Sequence, residues 1–198
     1  MFVIRRVTMK EILSLGDSLV ACGRNPDDLT SLGHGFVGVL AKDQASYRFL
    51  NGGYNGARLV DVNFYLLETL AGCQNLAGVI LWLGINDLGR QLGTSDDEWN
   101  NFVLSWQDQY GRLVTLLRAQ LGRNLPILLL APVAVRTEPR LLDLVQAVRD
   151  LASSKHLTFV DPNRWLIPED FMPDGIHLKG RGQEKVAAHL RDWVSHLT

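Results

Sequence analysis

Residues 11–19 read EILSLGDSL, a short and mostly apolar run that ends at a glycine and leads into two polar residues and a leucine. Such a run, bounded by a turn signal, is typical of a β-strand that is buried on both faces. Gly16 permits a tight turn after the strand, and Ser18 stands just past that turn. We therefore predict a buried strand over residues 11–15 with a serine hydroxyl presented at its carboxyl end.

The same kind of run recurs along the chain. Further short strands are predicted at residues 47–50, 78–83, 127–130 and 158–160. Helical periodicity marks residues 59–70, 98–121, 139–152 and 183–197. This alternation predicts an α/β fold, a three-layer α/β/α sandwich around a five-stranded parallel sheet of the flavodoxin-like kind. Because no repeat, low-complexity segment or linker interrupts the pattern, residues 1–198 are predicted to form a single domain.

Two details of the helices can be predicted from local patterns. Ser95 followed by Glu98 forms a capping-box pattern at the start of the longest helix. In the next helix, Leu142, Val145 and Val148 recur at intervals of three residues, and we expect them to form its buried face.

Charge and composition exclude several classes of protein. The chain of 198 residues carries 20 basic and 21 acidic residues, a net charge of −1. We therefore expect no nucleic-acid partner and no polybasic membrane patch. No stretch approaches the roughly 18 apolar residues that a membrane-spanning helix needs, so no membrane span is expected.

The cysteines bear on metal binding and on location. Cys22 and Cys73 belong to no CxxC or Cys/His cluster, so the sequence predicts no zinc site. Free thiols fit a reducing compartment, and the first eleven residues contain no apolar run of signal-peptide length. We expect a cytoplasmic protein. The oligomeric state is left open.

Polar residues and glycines follow each predicted strand. Parallel sheets place their functional sites outside the carboxyl ends of the strands. The five following loops read GDSL at 16–19, NGGYNG at 51–56, GIND at 84–87, APV at 131–133 and a longer loop that reaches DGIH at 174–177. We expect a site where these loops meet.

Three of these residues suggest nucleophilic catalysis. A serine hydroxyl needs an adjacent base, and a histidine base needs a group that fixes its tautomer. His177 is the candidate base for Ser18, and Asp174 can reach the other imidazole nitrogen across the Gly175 turn. Taken separately, Ser18 also fits a helix cap, and His177 a surface histidine after a solvated Asp-Gly turn.

Two further residues are candidate oxyanion donors. The Asn86 amide can donate a hydrogen bond without a buried charge, and the backbone N–H of Gly56 can approach a reacting carbonyl closely. Each has a simpler interpretation, an Asn-capped turn or a glycine required only for its backbone angles. Asp17 and Asp87 are expected to brace their loops by accepting hydrogen bonds from backbone N–H groups.

The four motifs GDSL, NGGYNG, GIND and DGIH, in this order from Ile12 to about Leu178, resemble those of the SGNH (GDSL) hydrolase superfamily. The resemblance implies a catalytic triad and an oxyanion hole, and a reaction that needs no cofactor and no metal. Its triad residues would be Ser18, Asp174 and His177, and its oxyanion donors the Ser18 N–H, the Gly56 N–H and the Asn86 side chain.

The second motif departs from the family pattern. Ala57 and Arg58 follow Gly56, where a small polar residue is common in the family. This leaves Gly53 as an alternative donor to Gly56. We favour Gly56 because of its place relative to Asn51.

The substrate is predicted from weaker similarities. Gly23-Arg24, residues 32–37 (LGHGFV) and Arg90-Gln91 are similar to the carbohydrate acetylesterase branch of the superfamily, which implies a small acyl group, acetyl, on a sugar or similar alcohol. His34 and Gly35 also fit a simple helix start. Residues 133–136 and Trp165 are candidate pocket-lining residues. Lysophospholipase, thioesterase and arylesterase activities remain open within the superfamily.

Two other classes compete with an esterase. A metal-dependent phosphodiesterase or phosphatase could use Asp17, Asp87, Asp174 and His177 as ligands, although Ser18 would then have no role. A non-catalytic scaffold could keep the fold, although it has no need for serine, histidine, aspartate and asparagine together at one edge of a sheet. A carboxylic ester hydrolase acting on a small-molecule ester is the interpretation that uses every motif.

Overall fold

Five parallel strands form one sheet in the computed structural model, which describes residues 9–136 and 138–197. The strands are β1 (Lys10–Gly16), β2 (Tyr47–Gly53), β3 (Leu76–Trp82), β4 (Ile127–Leu130) and β5 (Thr158–Val160). Their order is β2-β1-β3-β4-β5, and every neighbouring pair is parallel. This is the flavodoxin-like order. The predicted fold class is therefore confirmed, with each of the five predicted strands at or within a few residues of its expected bounds.

Seven α-helices flank the sheet in the described part of the chain. They are α1 (Ser18–Ala21), α2 (Phe36–Asp43), α3 (Leu59–Ala71), α4 (Ile85–Arg90), α5 (Asp96–Leu121), α6 (Pro139–Lys155) and α7 (Gly180–Ser195). Two 3₁₀ turns, Pro162–Arg164 and Pro168–Asp170, follow β5. One layer contains α2 packed on α7, and the other contains α3, α5 and α6, with α5 contacting both neighbours. The single-domain interpretation stays a prediction, and its residues 1–8, 137 and 198 lie outside the described part.

Strand burial explains why the sheet is parallel and covered on both sides. The central strands carry apolar side chains on both faces of the sheet. Leu13, Leu15, Ile80 and Leu81, for example, are completely buried. A strand buried on both faces must lie between two helix layers, as parallel sheets do. The polar groups that remain are therefore concentrated where the strands end.

Local capping signals were more accurate than the face predicted for α6. Ser95 and Glu98 form the predicted capping box at the start of α5. In α6, however, Leu142 is 51% exposed, which contradicts the prediction that it is buried. Leu141 and Leu144 are buried in its place. An α-helix turns 100° per residue, so residues spaced by three come to lie progressively further around the helix. Residues spaced alternately by three and four stay on one face.

Two helices, α1 and α4, are too short to be predicted from apolar periodicity. Helices α1 and α4 begin within two or three residues of the ends of β1 and β3, and neither is long enough to show a period. Within the described residues, no helix is both long and apolar enough to cross a membrane.

Candidate active site

Ser18 lies at the junction of β1 and α1. The turn is tight because Gly16 lies against β3, where an added Cβ would be 2.3 Å from the Trp82 carbonyl oxygen. Asp17 caps the helix through its Oδ1, which accepts a hydrogen bond from the Leu19 N–H at 2.9 Å. Ser18 is then the first residue of α1, a position whose N–H has no acceptor within a helix. The junction therefore presents both the Ser18 hydroxyl and its N–H outside the sheet.

His177 is carried by a short loop after the second 3₁₀ turn. Phe171 and Leu178 pair as an antiparallel bridge at the base of this loop. Inside it, the Asp174 Oδ1 accepts hydrogen bonds from the Ile176 and His177 N–H groups, each at 2.9 Å. These bonds orient the Asp174 carboxylate toward the His177 ring.

A continuous chain of hydrogen bonds joins the three predicted triad residues. His177 Nε2 lies 2.8 Å from Ser18 Oγ, and His177 Nδ1 lies 2.8 Å from Asp174 Oδ2. The Ile176 N–H, the His177 ring and the His177 N–H lower the pKa of Asp174 to about 2. An ionised carboxylate can only accept, so Nδ1 carries the proton and Nε2 is free to accept the serine proton. This is the tautomer that a general base for Ser18 requires.

The two candidate glycines lie in different surroundings. The Gly53 N–H donates to Asn51 Oδ1 at 3.0 Å, and a Cβ on Gly53 would lie 2.4 Å from the Ala21 nitrogen. Gly53 is thus committed to packing β2 against α1. Gly56, with φ of +74°, instead lines a cleft with Ser18 and His177.

Asn86 reaches the same cleft from the start of α4. Its Nδ2 donates to the Ala57 carbonyl oxygen at 3.0 Å, which fixes the plane of the amide. An amide nitrogen has two N–H groups, so one bond of this kind leaves a second donor. The Ala57 contact therefore ties Asn86 to the residue that follows Gly56.

Asp17 and Asp87 have the bracing contacts expected of them. Both Asp87 carboxylate oxygens accept from the Leu59 N–H, at 3.2 and 3.3 Å, at the start of α3. Burial raises the pKa of Asp17 to about 7 and that of Asp87 to about 6. In the described ranges, 9–136 and 138–197, no three His, Cys, Asp or Glu side chains are grouped so that they could hold a metal ion.

We refer to the space above these residues as the serine cleft. It encloses about 540 Å³ and is lined by Ser18, Asn55, Gly56, Asn86, His34 and His177, among others. Gly35 does start α2, as the simpler interpretation proposed, but His34 is also part of the cleft.

A second concavity, the apolar groove, adjoins the loop that carries His177. It encloses about 460 Å³, and its apolar lining includes Ile85, Leu88, Leu92, Val135, Pro173 and Ile176. Of the predicted pocket-lining residues 133–136, Ala134, Val135 and Arg136 lie in this groove, whereas Val133 is completely buried. Trp165 lies in neither concavity; it stacks on His189 with ring centroids 3.9 Å apart, so its indole face is already covered.

The sequence matches the family model described as GDSL-like lipase/acylhydrolase over residues 14–185. The chain belongs to this family. No curated protein matches the sequence. This membership confirms the predicted resemblance and makes the protein a carboxylic ester hydrolase of the SGNH superfamily.

Solved structures show the same fold. The acetylxylan esterase Axe2 from Geobacillus stearothermophilus superimposes with a TM-score of 0.73 at 23% identity, covering 92% of this chain and 93% of that one. An α/β hydrolase, LAE5, from the metagenome of Lake Arreo in Spain gives a TM-score of 0.75 at 18% identity, covering 95% of this chain and 96% of that one.

Sequence reasoning missed two residues of this esterase's serine cleft. Met172 comes from the irregular chain before Asp174, and no local pattern distinguishes it. Gln183 lies on α7, and its buried side chain accepts from the Phe36 N–H at 2.9 Å. Gln183 occupies a position on the buried, otherwise apolar face of α7, and a polar residue at such a position was the one signal that could have identified it.

Proposed function

We propose that the protein is a serine esterase that hydrolyses small-acyl esters, acetyl esters above all, through a covalent acyl-enzyme. The observation that carries the proposal is the continuous chain from Ser18 Oγ to His177 to Asp174, with both hydrogen bonds at 2.8 Å. Three residues from two ends of the chain meet in the geometry that lowers the barrier to attack by a serine hydroxyl.

The proposed reaction has two halves. Ser18 Oγ attacks the ester carbonyl carbon as its proton passes to His177 Nε2, and the imidazolium is stabilised by the Asp174 carboxylate. The tetrahedral intermediate collapses, the C–O bond to the alcohol breaks, and His177 returns the proton to the departing oxygen. Water then attacks the acyl-enzyme by the same route and releases the acid and free Ser18. No step needs a cofactor or a metal ion.

We propose the Ser18 N–H, the Gly56 N–H and the Asn86 side chain as the oxyanion hole. The position of Gly56 in the serine cleft, and the engagement of the Gly53 N–H by Asn51, support Gly56 over Gly53. Donors already held in place by the fold cost no reorganisation when charge develops on the substrate oxygen. Removing one of them typically lowers turnover by roughly 100- to 1000-fold.

A carbohydrate is the proposed alcohol. The support is the polar lining of the serine cleft, where the exposed side chains of His34 and Asn55 offer hydrogen-bond partners for hydroxyl groups. The likeness to an esterase that is described as acting on acetylxylan agrees with this choice.

A second candidate is a hydrolase of longer acyl chains, such as a lysophospholipase or a long-chain thioesterase. The apolar groove favours it, because this groove shares Asp174 with the triad and is lined mainly by aliphatic side chains. Pockets of a few hundred Å³ with such lining are typical of apolar ligands.

Hydrolysis of 4-nitrophenyl esters from acetate to decanoate tests both candidates. We expect the fastest cleavage with acetate, and a loss of at least about 1000-fold in kcat in Ser18→Ala. Ser153→Ala, an exposed serine in α6, is the matched control and should keep full activity. A preference for decanoate would favour the second candidate, and activity retained in Ser18→Ala would refute the triad.

A further inference from the structure

The loop that carries Asp174 and His177 has little burial to hold it in place. The side chains of Asp174 and His177 are 49% and 48% exposed, and Met172 and Ile176 are also exposed. Its contact with the neighbouring loop is a backbone bond from the Val135 N–H to the Gly175 carbonyl oxygen at 2.8 Å. An exposed loop whose geometry must be accurate to a fraction of an ångström needs support at its base.

The two strands of the loop are joined where they leave the body of the protein. Phe171 and Leu178, both buried, form the bridge, and the Met172 N–H donates to the His177 carbonyl oxygen at 2.7 Å. At the next pair of residues, outside this bridge, the Lys179 N–H donates to the Asp170 carbonyl oxygen at 2.8 Å. Asp170 is therefore the residue at which the incoming strand is fixed to the outgoing one.

The Asp170 side chain extends this junction to both flanking elements. Its carboxylate is completely buried. Oδ2 accepts from the Ile167 N–H at 3.0 Å and from Lys185 Nζ at 2.6 Å, while Arg181 Nε lies 2.8 Å from Oδ1. Ile167 precedes the loop, and the two cations lie on α7, which follows it. One carboxylate thus joins the chain before the loop to the helix after it.

The charge of Asp170 makes this junction strong. Burial acts to raise its pKa, but the Lys185 and Ile167 hydrogen bonds and the charges of Lys185 and Arg181 hold the pKa below its ordinary value. Asp170 therefore stays ionised at neutral pH. Arg181 and Lys185 are 55% and 34% exposed, so the buried charge is that of Asp170. Removing the cations would leave this carboxylate uncompensated, which is destabilising locally.

We propose that Asp170 is a positioning residue for the esterase reaction: with Arg181 and Lys185 it sets the loop that places His177 Nε2 against Ser18 Oγ. This inference rests on the proposed function, because it concerns the alignment of the same base and nucleophile. A displacement of about 1 Å at a reacting group costs on the order of 100-fold in rate.

Asp170→Asn tests the proposal, since it keeps the side-chain volume and an acceptor for Ile167 but loses the charge. We expect kcat for 4-nitrophenyl acetate to fall roughly 30- to 100-fold, with KM within about threefold. A loss confined to kcat is the signature of a misplaced base, whereas a change that merely loosens the cleft would raise KM as well. Asp43→Asn is the matched control: it breaks the exposed Asp43–Arg191 pair between α2 and the same helix α7 and should leave both kinetic constants unchanged.

Lys185 variants keep the test decisive if Asp170→Asn folds poorly. Lys185→Gln should reproduce the loss of kcat in part, and Lys185→Arg, which retains the charge on Asp170, should restore at least half of the activity. A lower unfolding midpoint with unchanged kcat in the folded variants would overturn the positioning role. Ser18→Ala, assayed in parallel, separates the two proposals, since activity retained there would refute the triad whatever Asp170→Asn does.

Discussion

At the scale of the residue, the site combines one exposed carboxylate with two buried ones. Asp174 is about half exposed, yet its pKa is about 2 because two backbone N–H groups and the His177 ring bind the ionised form. Asp17 and Asp87 are buried, and burial raises their pKa values to about 7 and about 6. Hydrogen bonding to the charged form determines the first case and desolvation the other two.

Asp174→Asn should lower kcat by roughly 10³- to 10⁴-fold and change the fold little. An amide can present its N–H₂ to the ring and hold the wrong histidine tautomer, and it cannot stabilise an imidazolium. The measurement is kcat for 4-nitrophenyl acetate at pH 8. Asp150→Asn, an exposed aspartate of α6, serves as the control. A decrease of less than tenfold would exclude Asp174 as the residue that orients the base.

Asp17→Asn should make the free energy of unfolding less dependent on pH. The pKa of Asp17 is about 7 in the folded state and near 3.8 in the unfolded chain, so the folded state holds a proton that the unfolded state has lost between these values. Its stabilising contribution is present below about pH 4 and is lost as pH rises through about 7.

Asparagine keeps an acceptor for the Leu19 N–H but does not ionise. Relative to wild type, the variant should therefore gain on the order of 4 kcal/mol in free energy of unfolding between pH 4 and pH 8. Urea unfolding of both proteins at the two pH values measures this difference. An equal pH dependence in the two would show that Asp17 does not hold the proton.

At the scale of the element, the active-site edge depends on very close backbone packing. A Cβ at Gly16 would meet the Trp82 carbonyl oxygen at 2.3 Å, and one at Gly53 would meet the Ala21 nitrogen at 2.4 Å. Gly16 lets β1 approach β3 and Gly53 lets β2 approach α1, so that the Ser18 turn lies beside the loop that carries Gly56. The approach is set by backbone atoms, which cannot move aside as a flexible side chain can.

Gly53→Ala and Gly89→Ala form a matched pair that tests this packing. Gly53→Ala forces α1 away from β2 and should cost more than about 2 kcal/mol in free energy of unfolding. Gly89 lies in α4 with open space around an added Cβ in the described part of the chain, so Gly89→Ala should be neutral or stabilise by up to about 1 kcal/mol. Urea unfolding measures both. Equal effects would show that the close approach is not what requires Gly53.

At the scale of the whole molecule, the doubly wound topology collects the loops. Because all five strands are parallel, their carboxyl ends lie at one edge, and Ser18 and His177 meet there although 159 positions separate them. The first and last loops of the sheet therefore form one site. Its chemistry depends on the complete fold and not on any one segment.

Chelation should leave the esterase activity unchanged. The proposed reaction uses a serine nucleophile and a histidine base, neither of which needs a metal ion. Hydrolysis of 4-nitrophenyl acetate should proceed at the same rate after incubation with EDTA and removal of the chelator. A loss of activity that Zn²⁺ or Mn²⁺ restores would instead support a metal-dependent hydrolase.

The sequence by itself determined the strands, the capping box of α5 and the identity of the loops around the site. These features follow from apolar periodicity and from turn residues, which act over a few neighbouring positions. The same local signals made Ser18, Asn86 and His177 candidates, although each taken alone also fits a simpler interpretation. They could not assign the buried face of α6, because Leu141 and Leu142 are chemically alike and only packing distinguishes them.

The tertiary structure decided everything that depends on residues far apart in the chain. It decided which glycine lines the serine cleft, since the Gly53 N–H is engaged by Asn51 while Gly56 lies open to the cleft. It also covered Trp165 with His189 and buried Asp170 between two cations of α7. The physical reason is that burial and pairing set the hydrogen bonds and the charge state of a side chain, and neither is defined until distant elements have packed together.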